Sequence, residues 1–301
     1  MTASPPYIGR FAPSPTGPLH FGSLVAALGS YLQARAHGGQ WHVRMEDVDT
    51  SRCSPVMADD ILRTLAAFGF EWTGAVMYQS QRLAAYRTAL QQLQDAGWVY
   101  ACGCSRLEIA DSGVHGIDGL VYPGSCRDGL VQGHLPRAQR VRTDNLPLCF
   151  DDALQGRVCQ RLASEVGDFV LNRADGLFAY QLAVVVDDAA LGITEVVRGA
   201  DLLASTPRQI YLQRLLGLPT PTYLHLPVAL NADGQKLSKQ TQARALNVDA
   251  ALPLLCQAMA FLNQPVREDI ATLAEFWRWA TAVWSVAALP QARGDNAMLC
   301  T

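Results

Sequence analysis

Residues 7–23, YIGRFAPSPTGPLHFGS, decide the fold. Tyr7 to Ala12 read as a short strand, PSPTGP at 13–18 as a proline-rich turn, and apolar residues then recur with helical period from Leu19 to Ala36. Gly38 and Gly39 stop that helix as a C-cap does. WHVRMED at 41–47 alternates enough for a second strand, and helical stretches near 56–68 and 80–96 each end on a glycine, Gly69 and Gly97. Strand, helix, strand, helix is the pattern of an α/β domain with a parallel sheet. From about residue 100 to 165 it breaks into Gly, Cys, Pro and Arg, which marks an inserted subdomain. It resumes with FVLNRADG (169–176), LAVVVDD (182–188), GITEVVRGADLL (192–203) and a helix from Ser205 to Leu216. Ser205 or Thr206 would cap that helix, with Pro207 in its first turn. The expected organisation is a catalytic-type domain in two halves, 1–100 and 166–217, around an insertion at 101–165. A loop and a short helical C-terminal region follow at 218–301, where Phe276, Trp277, Trp279 and Trp284 pack on the body.

At 301 residues, 50% hydrophobic and 17% charged, the chain can bury a full core. A net charge of −3 excludes a protein that coats nucleic acid indiscriminately, so any such contact must be local. The start, MTASPPYIGRF, lacks a basic region followed by an apolar run, and the apolar stretch from Ala280 to Leu289 is too short to cross a bilayer. A cytoplasmic protein without membrane contact is expected. Its eight cysteines then read as thiols and metal ligands rather than a disulfide framework, with Cys53, Cys149, Cys159, Cys256 and Cys300 as isolated apolar fillers.

Of 24 basic residues only two are lysines, Lys236 and Lys239, both in KLSKQ after the turn-forming Asn231-Ala232-Asp233-Gly234. An ammonium on a flexible stem suits a phosphate whose charge is moving, although two leftover lysines on a solvated loop would look the same. GxxxxGK[ST] and GxGxxG are both missing, so phosphates must be held in another way. The strand-to-helix hand-over offers one. Thr16, Gly17, His20 and Gly22 lie where a helix N-terminus can meet an anion and glycine lets it approach the backbone. By itself, a histidine between glycines is more often a core residue than a ligand.

RFAPSPTGPLHFG (10–22) resembles the HIGH region of class I glutamyl-tRNA synthetases, and KLSKQ (236–240) resembles their KMSKS loop. The likeness continues through RMEDVDTSR (44–52) and FAYQLAVVVDDAALGITEVVRGADLLASTPRQIYLQRLLG (178–217), in the right order over most of 7–240. It implies a Rossmann-like parallel sheet that activates L-glutamate with ATP and Mg²⁺, giving glutamyl adenylate and pyrophosphate, and passes the glutamyl group to a tRNA. His20, Lys236 and Lys239 are the implied catalytic residues, stabilising charge around the α-phosphate. Thr16, Gly17, His20, Gly22 and Lys239 are the implied ATP contacts. Phe21-Gly22-Ser23 and Gln240 depart from the two motifs without removing His20 or Lys239. Glutamate has two carboxylates and an ammonium, so its pocket needs guanidinium forks and an acid. By the resemblance, Arg10, Arg198 and Tyr180 grip the side-chain carboxylate, Glu46 holds the ammonium and Ser14 adds a hydrogen bond. On chemistry alone Arg44, Glu46 and Asp47 could equally pair with neighbours, and Asp187 and Asp188 have less certain roles.

Cys102, Cys104, Tyr122 and Cys126 put three thiols and a phenol close in sequence. That suggests zinc, but CxC is not CxxC, tyrosine is a rare ligand, His115 is an alternative fourth donor, and chance clustering stays open. The CxC…YxxxC pattern resembles one branch of the family, the glutamyl-queuosine tRNA(Asp) synthetases. It implies structural Zn²⁺ on those four residues in an acceptor-type subdomain. Only residues 241–301 follow KLSKQ, too few for the anticodon-binding helical region of ordinary members. The acceptor expected from the branch is queuosine in the anticodon loop of tRNA(Asp), and the enzyme is expected to be a monomer. The alternatives are a truncated synthetase charging the 3′ end of tRNA(Glu) and a non-catalytic RNA-binding paralogue. Arg140 with Arg142 on a strand, and Arg157 with Arg161 one helical turn apart, are candidate phosphate contacts or ordinary solvated charges.

Overall fold

A computed structural model describes residues 6–111, 115–117, 119–229 and 244–291. Lys236, Lys239 and Cys300 lie outside the described residues. The first half runs β1 (Ile8–Phe11), α1 (Phe21–Ala36), β2 (Gln40–Met45), α2 (Pro55–Ala67), β3 (Met77–Tyr78) and α3 (Leu83–Asp95). Gly69 (φ 81) and Gly97 (φ 76) take the left-handed conformation past the ends of α2 and α3, which is why the chain stops there. Next come β4 (Val99–Cys102), α4 (Arg106–Ala110), β5 (His115–Gly116), β6 (Gly119–Leu120) and β7 (Ala138–Val141). They are followed by β8 (Pro147–Asp152), β9 (Gly156–Arg161), α5 (Leu162–Glu165) and β10 (Val170–Asn172). The chain then forms α6 (Tyr180–Ala190), β11 (Glu195–Gly199), α7 (Thr206–Leu216), β12 (Thr222–Leu226), α8 (Ala251–Phe261) and α9 (Leu273–Val283).

β1, β2 and β3 are parallel neighbours, and so are β11 and β12. The two groups meet where Ile8 N–H donates to Thr194 Oγ1 at 2.8 Å and Thr194 N–H donates back to Ile8 O at 2.9 Å. β8 continues the sheet beside β12, with Asp152 opposite Tyr223, and β9 runs antiparallel along its outer side. The strands therefore lie in the order β3-β2-β1-β11-β12-β8-β9. Chain direction around the sheet reverses between β1 and β11, and α/β sheets hold ligands at the carboxyl ends of strands beside such a reversal. A separate antiparallel sheet, β10-β7-β4, carries the cysteine segment.

One core cluster packs α1, α2, α8 and α9 against β1 and β2. At Gly29 of α1 an added Cβ would sit 2.5 Å from Leu226 Cδ1, so a larger residue there would have to displace the Leu226 side chain between α1 and β12. The aromatic C-terminal segment packs as expected. Phe276 is fully buried, Trp277 Nε1 donates to Phe68 O at 3.1 Å, and Trp284 Nε1 donates to Gln33 Oε1 at 2.7 Å. LAVVVDD lies inside α6; consecutive valines disfavour a helix, but burial of Leu182 to Val185 outweighs that preference.

Three sequence expectations are corrected. Arg157 and Arg161 lie on strand β9 rather than a helix; Arg157 pairs with Asp151 at 3.4 Å and Arg161 donates to Asn145 O at 2.7 Å. A spacing of four puts two residues on one face of a strand as well as of a helix, so spacing alone could not separate them. Arg140 is buried, with its guanidinium 3.9 Å over the Tyr122 ring and Nη1 donating to Asp168 O at 2.7 Å, which takes it out of phosphate binding. Cys149 and Cys159 are not isolated, because the β8–β9 register sets them opposite each other and they form a disulfide. Cys53 and Cys256 are partly buried thiols outside the disulfide, and Cys53 Sγ donates to Glu46 O at 3.7 Å. Among the described residues no helix is long and apolar enough to cross a membrane.

Candidate functional site

The proline-rich turn leaves β1 and is pinned over the end of β2. Glu46 N–H donates to Pro13 O at 2.9 Å and Ser54 N–H to Pro15 O at 3.0 Å. Below it a cavity of ≈ 760 Å³ opens at the carboxyl ends of β1 and β11. Arg10, Ser14, Thr16, His20, Gly22, Glu46, Tyr180 and Arg198 all line it, whereas Gly17 sits in the turn outside the lining. Residues separated by up to 188 positions in sequence are thus brought to one place.

His20 is the N-cap of α1, and its Nδ1 accepts from Ser23 N–H at 3.3 Å. A neutral ring in that bond carries its proton on Nε2, a donor suited to an anionic oxygen. The first-turn N–H groups of α1 add positive potential at the same end of the cavity.

The other end is cationic. Arg10 of β1 donates through Nε to Asp188 Oδ1 at 3.3 Å and through Nη1 to Val197 O at 3.3 Å. Arg198 of β11 directs Nη1 towards the Tyr180 hydroxyl, 3.5 Å away. Burial, and then the charge of Glu46, raise the Tyr180 hydroxyl above its ordinary value, so it remains a protonated donor. Glu46 receives a bond from Arg44 Nη2 at 3.2 Å, and Arg44 also pairs with Asp188. The salt-bridge alternative for Glu46 therefore holds, and Glu46 lines the cavity as well. Burial raises the Glu46 carboxyl above its usual range, with Arg44 only partly opposing it. Burial would raise Asp188 too, but Arg44 and Arg10 outweigh it and hold that carboxyl below its ordinary value.

Two acids serve the scaffold. Asp47 accepts from Ser80 N–H at 2.9 Å and from Ser80 Oγ at 2.6 Å. Asp187 accepts from Gln79 at 2.8 Å, Arg82 at 2.5 Å and Tyr86 at 2.7 Å, tying α6 to α3. Sequence reasoning assigned no role to Asp152 or His225 and offered Thr206 only as a helix cap; Ser205 takes the N-cap position of α7 without a side-chain bond, and Asp152, His225 and Thr206 together back Arg198. Arg198 Nε donates to His225 Nε2 at 3.1 Å, Arg198 Nη2 donates to Thr206 Oγ1 at 2.9 Å, and His225 Nδ1 lies 2.6 Å from Asp152 Oδ2. No local pattern in the sequence joins these three residues.

In the inserted segment the Sγ atoms of Cys102, Cys104 and Cys126 lie within 4.8 Å of one another. The Tyr122 hydroxyl oxygen is 3.4 Å from Cys102 Sγ and 3.7 Å from Cys104 Sγ, and it accepts from Cys126 N–H at 2.8 Å. Sulfurs around a tetrahedral zinc stand roughly 3.8 Å apart, given Zn–S bonds of about 2.3 Å, so this donor set fits the ion. Burial would raise the Cys126 thiol, but bonds from the backbone of Val131 and Gly103 hold it below its ordinary value. His115 is exposed on β5 and is not part of the group.

The family described as tRNA synthetases class I (E and Q), catalytic domain, matches residues 8–119 and 125–261. The chain is 64% identical over 290 residues to a glutamyl-Q tRNA(Asp) synthetase of Dechloromonas aromatica, covering 95% of this chain and 96% of that protein. It is 56% identical over 294 residues to a protein of the same description from Aromatoleum aromaticum, covering 96% and 92%. Among solved structures, a glutamate-tRNA synthetase from Elizabethkingia anophelis superposes with TM-score 0.76 at 21% identity. That match takes in 94% of this chain and 66% of the other, and its identity supports likeness of fold alone.

Proposed function

The chain belongs to the class I tRNA synthetases of the E and Q type, and within them to the glutamyl-Q tRNA(Asp) synthetases, and from this membership we propose how its cavity works. The protein activates L-glutamate with ATP and transfers the glutamyl group to queuosine at the wobble position of tRNA(Asp). The observation that carries the assignment of the cavity is its polarity. Arg10 and Arg198, with Tyr180 and Glu46, line one cavity together with His20 and the N-terminus of α1.

Arg10 and Arg198 receive the side-chain carboxylate of glutamate, the Tyr180 hydroxyl donates to it, Glu46 takes the ammonium and Ser14 adds a hydrogen bond. This leaves the α-carboxylate directed at the nucleotide. One of its oxygens attacks the α-phosphorus of ATP, forming the mixed anhydride as the bond to pyrophosphate breaks. His20 Nε2 and the α1 N–H groups stabilise charge on the α-phosphate oxygens, with Thr16, Gly17 and Gly22 shaping the nucleotide seat. Lys236 and Lys239 supply compact positive charge to the same phosphates. Mg²⁺, bound with ATP, would neutralise charge on the departing pyrophosphate. In the second step queuosine attacks the glutamyl carbonyl and AMP leaves. Cys102, Cys104, Tyr122 and Cys126 would hold a Zn²⁺, which would serve as a structural clamp on the inserted segment. The enzyme works as a monomer in the cytoplasm, at the anticodon loop.

Glutamate-dependent ATP–pyrophosphate exchange is expected, followed by transfer of labelled glutamate to queuosine-containing tRNA(Asp). Lys239→Ala should abolish exchange. Transfer only to the 3′ end of tRNA(Glu) would reverse the acceptor assignment, and exchange that survives in Lys239→Ala would remove that lysine from catalysis.

A further inference from the structure

We propose that Asp152 and His225 are positioning residues that set the direction of Arg198 and thereby the selectivity for a γ-carboxylate over a γ-amide. This rests on the assignment of Arg198 to the side-chain carboxylate of glutamate. Arg198 and His225 face each other in the register of β11 and β12, and β8 brings Asp152 beside β12 from the inserted segment. All three are buried, with 5%, 0% and 4% of their surfaces exposed.

One neutral tautomer satisfies every contact around His225. A guanidinium has donors alone, so His225 Nε2 accepts from Arg198 Nε and from the Thr206 hydroxyl at 3.2 Å, and the ring proton sits on Nδ1, where it is donated to Asp152 Oδ2. Asp152 is itself held, because its Oδ1 accepts from Leu154 N–H at 3.0 Å and from Gln155 N–H at 2.9 Å. Burial, together with the nearby Arg198 charge, lowers the imidazole's affinity for a second proton despite the Asp152 bond, so the ring stays neutral. With Nε tied to His225 and Nη2 to Thr206, the guanidinium plane is fixed and Nη1 points towards Tyr180 in the cavity.

The neutral spacer has a physical purpose. A carboxylate bonded directly to Arg198 would compete with the incoming carboxylate for the same fork. An imidazole gives direction without neutralising the charge, and Asp152 fixes the tautomer from one position further back. Arg10 differs, since its Nε goes directly to Asp188, which also serves Arg44. Arg198 is therefore the guanidinium whose charge is kept for the ligand.

In Asp152→Asn the amide can donate to Nδ1, which transfers the ring proton to Nε2 and sets two donors against each other at Arg198. In ATP–pyrophosphate exchange we expect the KM for glutamate to rise about tenfold or more, the scale of one hydrogen bond to a charged group, with the KM for ATP changed by less than about threefold. The preference for glutamate over glutamine should fall by a similar factor. His225→Ala should copy this, and His225→Gln, which can place an amide oxygen near the Nε2 position, should recover most of it. That second pair keeps the test decisive if Asp152→Asn folds poorly. Lower thermal stability in these variants with glutamate KM and glutamine discrimination unchanged would overturn the proposal. If Arg198→Ala raises the glutamate KM but Asp152→Asn and His225→Ala do not, the site assignment stands and only this inference fails. If wild-type exchange is absent, or Arg198→Ala leaves the glutamate KM unchanged, the site assignment fails and takes the inference with it.

Discussion

Two carboxyl groups that share Arg44 as an ion-pair partner behave in opposite ways. Asp188 sits between Arg10 and Arg44 and is held below its ordinary value, whereas burial raises the Glu46 carboxyl although Arg44 pairs with it. Asp188 contributes stability that is present above the unfolded carboxylate value and is lost as pH falls through the lower folded one. The linkage at Glu46 concerns the ligand. A glutamate ammonium favours the ionised carboxylate, so binding lowers the Glu46 value and must release a proton wherever the free protein holds one. Affinity for glutamate should therefore weaken as pH falls through the raised value. Calorimetry in buffers of different ionisation enthalpy should detect proton release at mildly acidic pH, and Glu46→Gln should abolish it while raising the glutamate KM about tenfold or more. Binding without proton release across that range would place the ammonium elsewhere.

Individual elements divide into those read from local pattern and those that needed a neighbour. α1 was legible because its turn, apolar period and Gly38-Gly39 stop are contiguous. α9 carries a local signal too, a capping box of Thr272 and Glu275, which the reading of the sequence did not use. The β8–β9 hairpin was not, because period-two and period-four arguments overlap at Arg157 and Arg161. The cysteine segment lies between. Its candidate donors were visible as residue types, but convergence of Cys102, Cys104, Tyr122 and Cys126 needs β4 to end beside the segment carrying Tyr122. If zinc fills this set, purified protein should contain about one equivalent, and Cys126→Ser should lose it. Chelation should lower the melting temperature and increase hydrogen exchange in β4 and β7, while leaving α1 protected. Protein without zinc but with unchanged exchange there would make the cluster a set of packed thiols.

Across the whole molecule, the cavity rests on helices that do not line it. α8 and α9 clamp α1 from behind, and α1 presents His20 and its N-terminus to the cavity. Phe276→Ala should cost about 3–5 kcal/mol by urea unfolding, as removal of a fully buried aromatic does. Its effect on exchange should appear mainly in the KM for ATP, because the proposed nucleotide seat lies at the N-terminus of α1; a change confined to glutamate would contradict this coupling. By itself the sequence determined the alternation of strands and helices, their glycine stops, the proline-rich turn between β1 and α1 and the residue types of the cavity. All of these are carried by contiguous residues, whose spacing and chemistry act locally. Only the tertiary structure decided that Asp152 and His225 stand behind Arg198, that Arg140 is buried on Tyr122, and that Cys149 meets Cys159. Periodicity specifies which face a side chain occupies, but its partner is chosen by strand register and by how sheets and helices close over one core.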